Sequence, residues 1–185
     1  MNTSIFIITL LVIIAIVAAV AFLILGNRSR RLRERFGPEY TRTVAETGGR
    51  WEAESTLQRR TKRVEKLHIR ALTSVERARF QDEWREIQAQ FIDDPNGTLV
   101  EADRLIGSVM SAEGYPVADF EQRAADISVD HPIVVENYRG GHRIALKHAQ
   151  GHASTEDLRQ AMLHYRILFE DLLGQPEYTQ TGRTS

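Results

Sequence analysis

Five of the six histidines, His131, His142, His148, His152 and His164, fall within 34 positions of one another. Imidazole is the side chain most often used to hold zinc or to move a proton near neutral pH. On a helix, two zinc-ligating histidines stand at i and i+4. His148 and His152 have that spacing, but Gly151 ends the helical pattern between them, and no CxxC, HExxH or carboxylate triad completes a set. The expectation is therefore no metal and no other cofactor. His142 shares an apolar stripe with Tyr138 and Ala145, the usual setting of a hydrogen-bonded core histidine. Tyr138, His142 and His164 nevertheless stand as ligand candidates, because two imidazoles and a phenol on the last two helices are the groups a small polar ligand or a proton-transfer reaction would need. In Arg139-Gly140-Gly141-His142 the paired glycines either admit a ligand to the backbone or let two helices pack closely. The phosphate-loop, G-x-S-x-G and G-x-G-x-x-G patterns are absent. With no cysteine there is neither a thiol nucleophile nor a disulfide framework. No catalytic residue is expected.

A second constellation is electrostatic. Arg59, Lys62, Arg63 and Lys66 lie at i, i+3, i+4 and i+7, one face of a helix. Such a face is either simply solvated or a docking strip for anionic lipid or an acidic protein. The net charge of −1 conceals an asymmetry: residues 27–70 carry 13 Lys+Arg against 6 Asp+Glu, a net of +7, and residues 71–185 carry 11 against 19, a net of −8. With one aromatic near the strip, Trp51, and an acidic remainder, the pattern argues against nucleic acid.

These residues hang on an apolar stretch. Residues 5–25 read IFIITLLVIIAIVAAVAFLIL, with Thr9 the only polar side chain and no charge. At about 1.5 Å per residue they span roughly 32 Å, the hydrocarbon thickness of a bilayer. Arg28, Arg30, Arg31, Arg33 and Arg35 follow, while residues 1–4 carry no basic side chain. Basic flanks stay on the cytoplasmic side. The expectation is a single-pass anchor, residues 1–26, in the plasma membrane, with the N-terminus outside and the C-terminal domain cytoplasmic. The rivals are a signal peptide cleaved near Ala19-x-Ala21, which lacks a basic n-region and has too long an apolar run, and an uncleaved anchor with an exported domain.

The remaining chain reads as helices. A basic juxtamembrane stalk, 27–70, is interrupted at Gly37-Pro38 and at Gly48-Gly49, with one charged helix over 50–69. Standing straight, the stalk would carry Arg59 about 48 Å from the membrane, far beyond the roughly 8 Å reach of surface charge. Lipid contact by the strip thus needs a fold at one of the glycine breaks. An acidic bundle of about five helices is expected over 71–174. Its first helix opens at the capping pair Thr73 and Glu76 and carries Phe80, Trp84, Ile87 and Phe91. Asp94-Pro95 opens the second, with Leu99, Ala102, Ile106, Val109 and Met110 buried and Gly114 closing it. A short helix carries Phe120, Ala124 and Ile127. Asp130-His131-Pro132 opens the next, with Val135, Tyr138, His142, Ala145 and Ala149 on one side. Ser154 and Asp157 cap the last, whose stripe is Leu158, Met162, Tyr165, Phe169 and Leu172. Residues 175–185 read as a disordered tail. The fold class is all-α: one N-terminal transmembrane helix, a charged helical stalk and a compact helical bundle.

RERFGPEY at 33–40, DFEQRAADISVDHP at 119–132 and STEDLRQAMLHYRILFEDLL at 154–173 resemble a family of bacterial membrane-anchored helical proteins usually described as hypothetical or secreted. The resemblance implies a bacterial source, one anchor and a helical domain, and it supplies no activity and no site residues. The expected role is a membrane-tethered interaction module, a scaffold or regulator of an envelope complex. Its partners would be the bilayer and either another protein or a second copy. The alternative is a membrane-anchored enzyme or small-ligand binder.

Overall fold

The computed structural model describes residues 2–116 and 118–174, and in its first helix not the side chains of 2–9, 17–19 and 21–25. Among the described residues there are α1 (Asn2–Phe36), α2 (Pro38–Thr47), α3 (Arg50–Val64), α4 (Ser74–Gln90), α5 (Pro95–Glu113), α6 (Phe120–Ile127), α7 (Val135–Ala149) and α8 (Thr155–Leu172), and no strand. The protein is all-α. It divides into two compact units, Met1–Leu57 and Gln58–Ser185, the division falling inside α3. The expected tail over 175–185 lies outside the described residues.

In the first unit α1 runs unbroken for 35 residues. Gly37, at φ +46°, takes a conformation that costs a Cβ-bearing residue energy, and Pro38 opens α2 where its missing N–H is no loss. Gly48, at φ +71°, closes α2 with its N–H on the Val44 carbonyl. Both glycine breaks therefore form, and the chain folds back on α1. The Arg33 guanidinium lies 5.2 Å from the centre of the Tyr40 ring. Glu54 on α3 accepts hydrogen bonds from the Tyr40 hydroxyl at 2.9 Å, from Arg50 Nε at 2.9 Å and from the Ser29 hydroxyl of α1. Burial alone would raise the Glu54 pKa, but these three donors outweigh it and hold the carboxyl below its ordinary value. Leu32, Phe36, Tyr40, Ala53 and Leu57 are buried around this junction.

Among the described residues no helix is long and apolar enough to cross a membrane. The transmembrane helix expected over 5–25 is thus not supported here. Much of that run, 5–9, 17–19 and 21–25, lies outside the described side chains, and what remains, Leu10–Ile16 and Val20, is too short to span.

The second unit is a bundle on a single apolar cluster drawn from α4, α5, α6, α7 and α8. Its starts are those the sequence announces. Thr73 and Glu76 form a reciprocal capping box, as do Ser154 and Asp157, and Asp94 and Asp119 each accept the N–H three residues on. The expected stripes are buried on α4, α5 and α8, with Phe91 only half so. Three expectations are corrected. The charged helix ends at Val64 and not at Ile69: Lys66 and Leu67 donate to the carbonyls three residues back, a tightened last turn, and Arg70 N–H then donates to the Glu113 carbonyl at 2.8 Å. Asp130 and His131 do not cap α7. They bind Tyr115 and Asp171 instead, and α7 starts at an uncapped Val134. Ala149, placed on the buried side of α7, is exposed.

Candidate functional site

Tyr138 is fully buried on α7. The Phe120 ring covers it at 4.8 Å between centroids and stacks flat on His142 at 3.5 Å. His164 is turned elsewhere, its Nδ1 donating to Asn137 Oδ1 at 2.9 Å. The structure brings Tyr138 and His142 together through Phe120, while His164 lies against Gly140 of α7. The reason is helix packing. A Cβ on Gly140 would come within 3.1–3.2 Å of the His164 ring, and one on Gly141 within 2.7–2.8 Å of the Tyr165 ring. The two glycines let α7 and α8 close on each other, which is the second of the two roles their sequence allowed. Burial pushes the pKa of Tyr138 and Tyr165 up and that of both histidines down, in each case disfavouring the charged form.

Beside Tyr138 lies an ion pair that sequence spacing did not flag. Arg123 of α6 donates to Asp103 of α5 at 3.1 Å, its guanidinium 5.7 Å from the Tyr138 ring centre. Arg123 Nε and the Tyr165 hydroxyl are buried with no hydrogen-bond partner among the described residues. Arg123 also lines a surface groove of about 520 Å³ with Gly107, Ser108, Met110 and Pro116. Tyr138, His142 and His164 line neither this groove nor the two described below.

A second titratable node was also missed, because its members are scattered in sequence. Glu113, at the end of α5, is buried with Oε2 unpartnered. Burial drives its pKa up; His131 and Arg70 pull it back, Asp171 and Asp130 push it further, and it stands at about 7. Burial opposes charging of His131, but the Asp171 carboxylate that its Nδ1 binds, with Glu113 and Asp130, holds its pKa above the ordinary value. The Tyr115 hydroxyl donates to Asp130 at 2.9 Å. Within this node His131 binds the Asp171 carboxylate, and His164, outside it, binds the Asn137 amide. Among the described residues no group of three or more His, Asp or Glu is placed to hold a metal ion.

Of the basic strip, Arg59, Lys62 and Lys66 are exposed. Arg63 has an intramolecular partner. Its Nε meets both oxygens of Asp126, at 2.9 and 3.2 Å, and that carboxylate, only 1% exposed, is also bound by Gln122 at 2.8 Å.

Two further grooves flank a seam between α4 and α8, both of which pack on α5. Trp84 and Phe169 stack across the seam, centroids 4.6 Å apart and planes within 16°. On one side is a groove of about 350 Å³ lined by Gln81, Trp84, Arg85, Phe169, Glu170 and Leu173. On the other is one of about 130 Å³ lined by Gln88, Phe91, Arg159, Met162, Leu163 and Arg166. Leu163 and Ile167 stand exposed on α8 at 40% and 42%. Its arginines are paired within the chain, Arg85 with Asp82, Arg159 with Glu156 and Arg166 with Glu170, so the rim is polar but nearly neutral. No family model, curated protein or solved structure matches the chain.

Proposed function

We propose that the chain is a membrane-tethered helical interaction module of the bacterial envelope, with the α4/α8 seam as its contact face. The observation that carries the reading is the pair of grooves that flank the Trp84–Phe169 stack, with Leu163 and Ile167 exposed on α8 beside them. An apolar helix face laid into such a groove is a common mode of recognition between helical proteins.

Support for the tether comes from residue chemistry. The run 5–25 is uncharged and belongs to one continuous helix, α1. Leu10, Leu11, Val12, Ile13, Ile14 and Ile16 are each 51–60% exposed. Consecutive apolar residues point all round a helix, so this surface is apolar on every side, which suits lipid better than water. The five arginines of 28–35 favour a cytoplasmic bundle. What weighs against the ligand-site reading is the tight closure of α7 on α8.

The test is quantitative recovery of partners with the solubilised full chain, compared with a Leu163→Glu/Ile167→Glu variant. Both side chains are exposed, so the bundle should keep its melting temperature. Selective loss of a partner with the variant is the expected result. Equal recovery from a correctly folded variant refutes the seam as the contact face.

A further inference from the structure

Trp51 is the largest exposed side chain of the first unit. It sits on the first turn of α3, 77% exposed, among charged neighbours that give it no cover. Its height along α1 is set by Glu54, one turn further on, whose carboxylate is tied to Ser29 of α1 and to Tyr40 of α2. Trp51 is three residues, roughly 4.5 Å, from Glu54 along α3, and Ser29, which Glu54 binds, is four residues past the run 5–25. The two glycine breaks have brought the turn of α3 that carries Trp51 back beside Ser29, close to where the apolar run ends.

We infer that Trp51 docks in the headgroup layer of the membrane that holds α1, as an interfacial anchor for the folded-back hairpin. The inference rests on the reading of 5–25 as a membrane span. An indole suits this position because its ring is apolar and its N–H still reaches water or lipid oxygens, which is why tryptophan is enriched at membrane interfaces. The ring would leave water without the chain refolding, since nothing in the unit covers it.

Two tryptophans are present, Trp51 and Trp84, so a full-length Trp84→Phe chain isolates the signal. It would be reconstituted in vesicles of phosphatidylcholine and phosphatidylglycerol and recovered by flotation. The same reading can be taken as the difference between the unmodified chain and Trp51→Phe, which leaves the core intact. The expected result is blue-shifted Trp51 emission, with most of the fluorescence lost to lipids brominated close to the headgroup, less to lipids brominated near the chain ends and little to aqueous acrylamide. If the chain floats but acrylamide quenches Trp51 like a free indole and bromolipid does not, the inference fails and the span stands. If the chain does not float, the span itself fails and the inference falls with it. A blue shift that grows with the protein-to-lipid ratio without bromolipid quenching would assign Trp51 to a contact between copies and overturn the proposal.

Discussion

Replacing Glu113 by glutamine should stabilise the protein at pH 8 and leave it nearly unchanged at pH 5. Glu113 is 7% exposed with one carboxylate oxygen unpartnered, and its pKa rises from an ordinary 4.5 to about 7. Each tenfold change in proton affinity is about 1.4 kcal/mol, so ionising the folded state costs at most roughly 3 kcal/mol, and residual solvation brings a working figure nearer 2 kcal/mol. The sign follows from proton counting. Between pH 4.5 and 7 the folded protein binds more protons than the unfolded one, so stability falls as pH rises through that window. His131 acts in the same direction: its raised pKa gives stability below about 6.5 that is lost as pH climbs through the folded value. The unmodified chain should therefore be more stable at pH 5 than at pH 8. Glu113→Gln should remove most of the difference, leaving the share due to His131. Urea unfolding of the full chain in mild detergent, read by Trp84 fluorescence at both pH values, gives the numbers. If the variant at pH 8 is no more stable than the unmodified chain, the carboxylate is hydrated or paired and the node is not a store of unfavourable charge.

Other substitutions separate structural from surface roles. Trp84→Ala removes a ring 5% exposed and stacked on Phe169, and should cost about 3–5 kcal/mol in the same unfolding assay. Gly141→Ala should also destabilise: the helix-propensity gain of about 1 kcal/mol is outweighed by a Cβ placed 2.7 Å from the buried Tyr165 ring, where overpacking costs typically 1–3 kcal/mol. Arg63→Ala leaves the buried Asp126 with Gln122 but without its ion-pair partner, and should cost about 1–3 kcal/mol. Lys62→Gln/Lys66→Gln should change stability by under about 0.5 kcal/mol while weakening binding to anionic vesicles by roughly 1 kcal/mol per charge at low salt.

What the sequence made legible was local. Thr73 with Glu76, Asp94 with Pro95, and Ser154 with Asp157 each state a helix start within four residues, because a cap is satisfied by its own first turn. The stripes on α4, α5 and α8 were legible for the same reason, since period and burial coincide. What was not legible joins residues far apart in the chain. Glu113, Asp130, His131 and Asp171 come from three different places, and nothing in their spacing says that they meet. Asp126 is an ordinary acid in DFEQRAADISVDHP until Arg63 is beside it. The end of α3 was not legible because no glycine or proline marks it, and the contact of Arg70 with the Glu113 carbonyl beyond it is tertiary. The ligand candidates Tyr138, His142 and His164 share a pair of helices, but the Phe120 ring that joins Tyr138 to His142 and the contacts of Gly140 and Gly141 with α8 are tertiary and have no signature in their spacing.

The central claim, that the bundle is a contact module using the α4/α8 seam, is tested most directly by photocrosslinking in intact membranes. A photoreactive side chain would replace Leu163 in the seam of the full-length protein, and in a parallel chain Ile133, which is 77% exposed in the turn before α7. The account predicts a discrete crosslinked species in the membrane fraction from position 163, absent from position 133 and lost when Ile167→Glu is added. Equal, diffuse crosslinking from both positions, or a species from 163 that Ile167→Glu leaves undiminished, would contradict it.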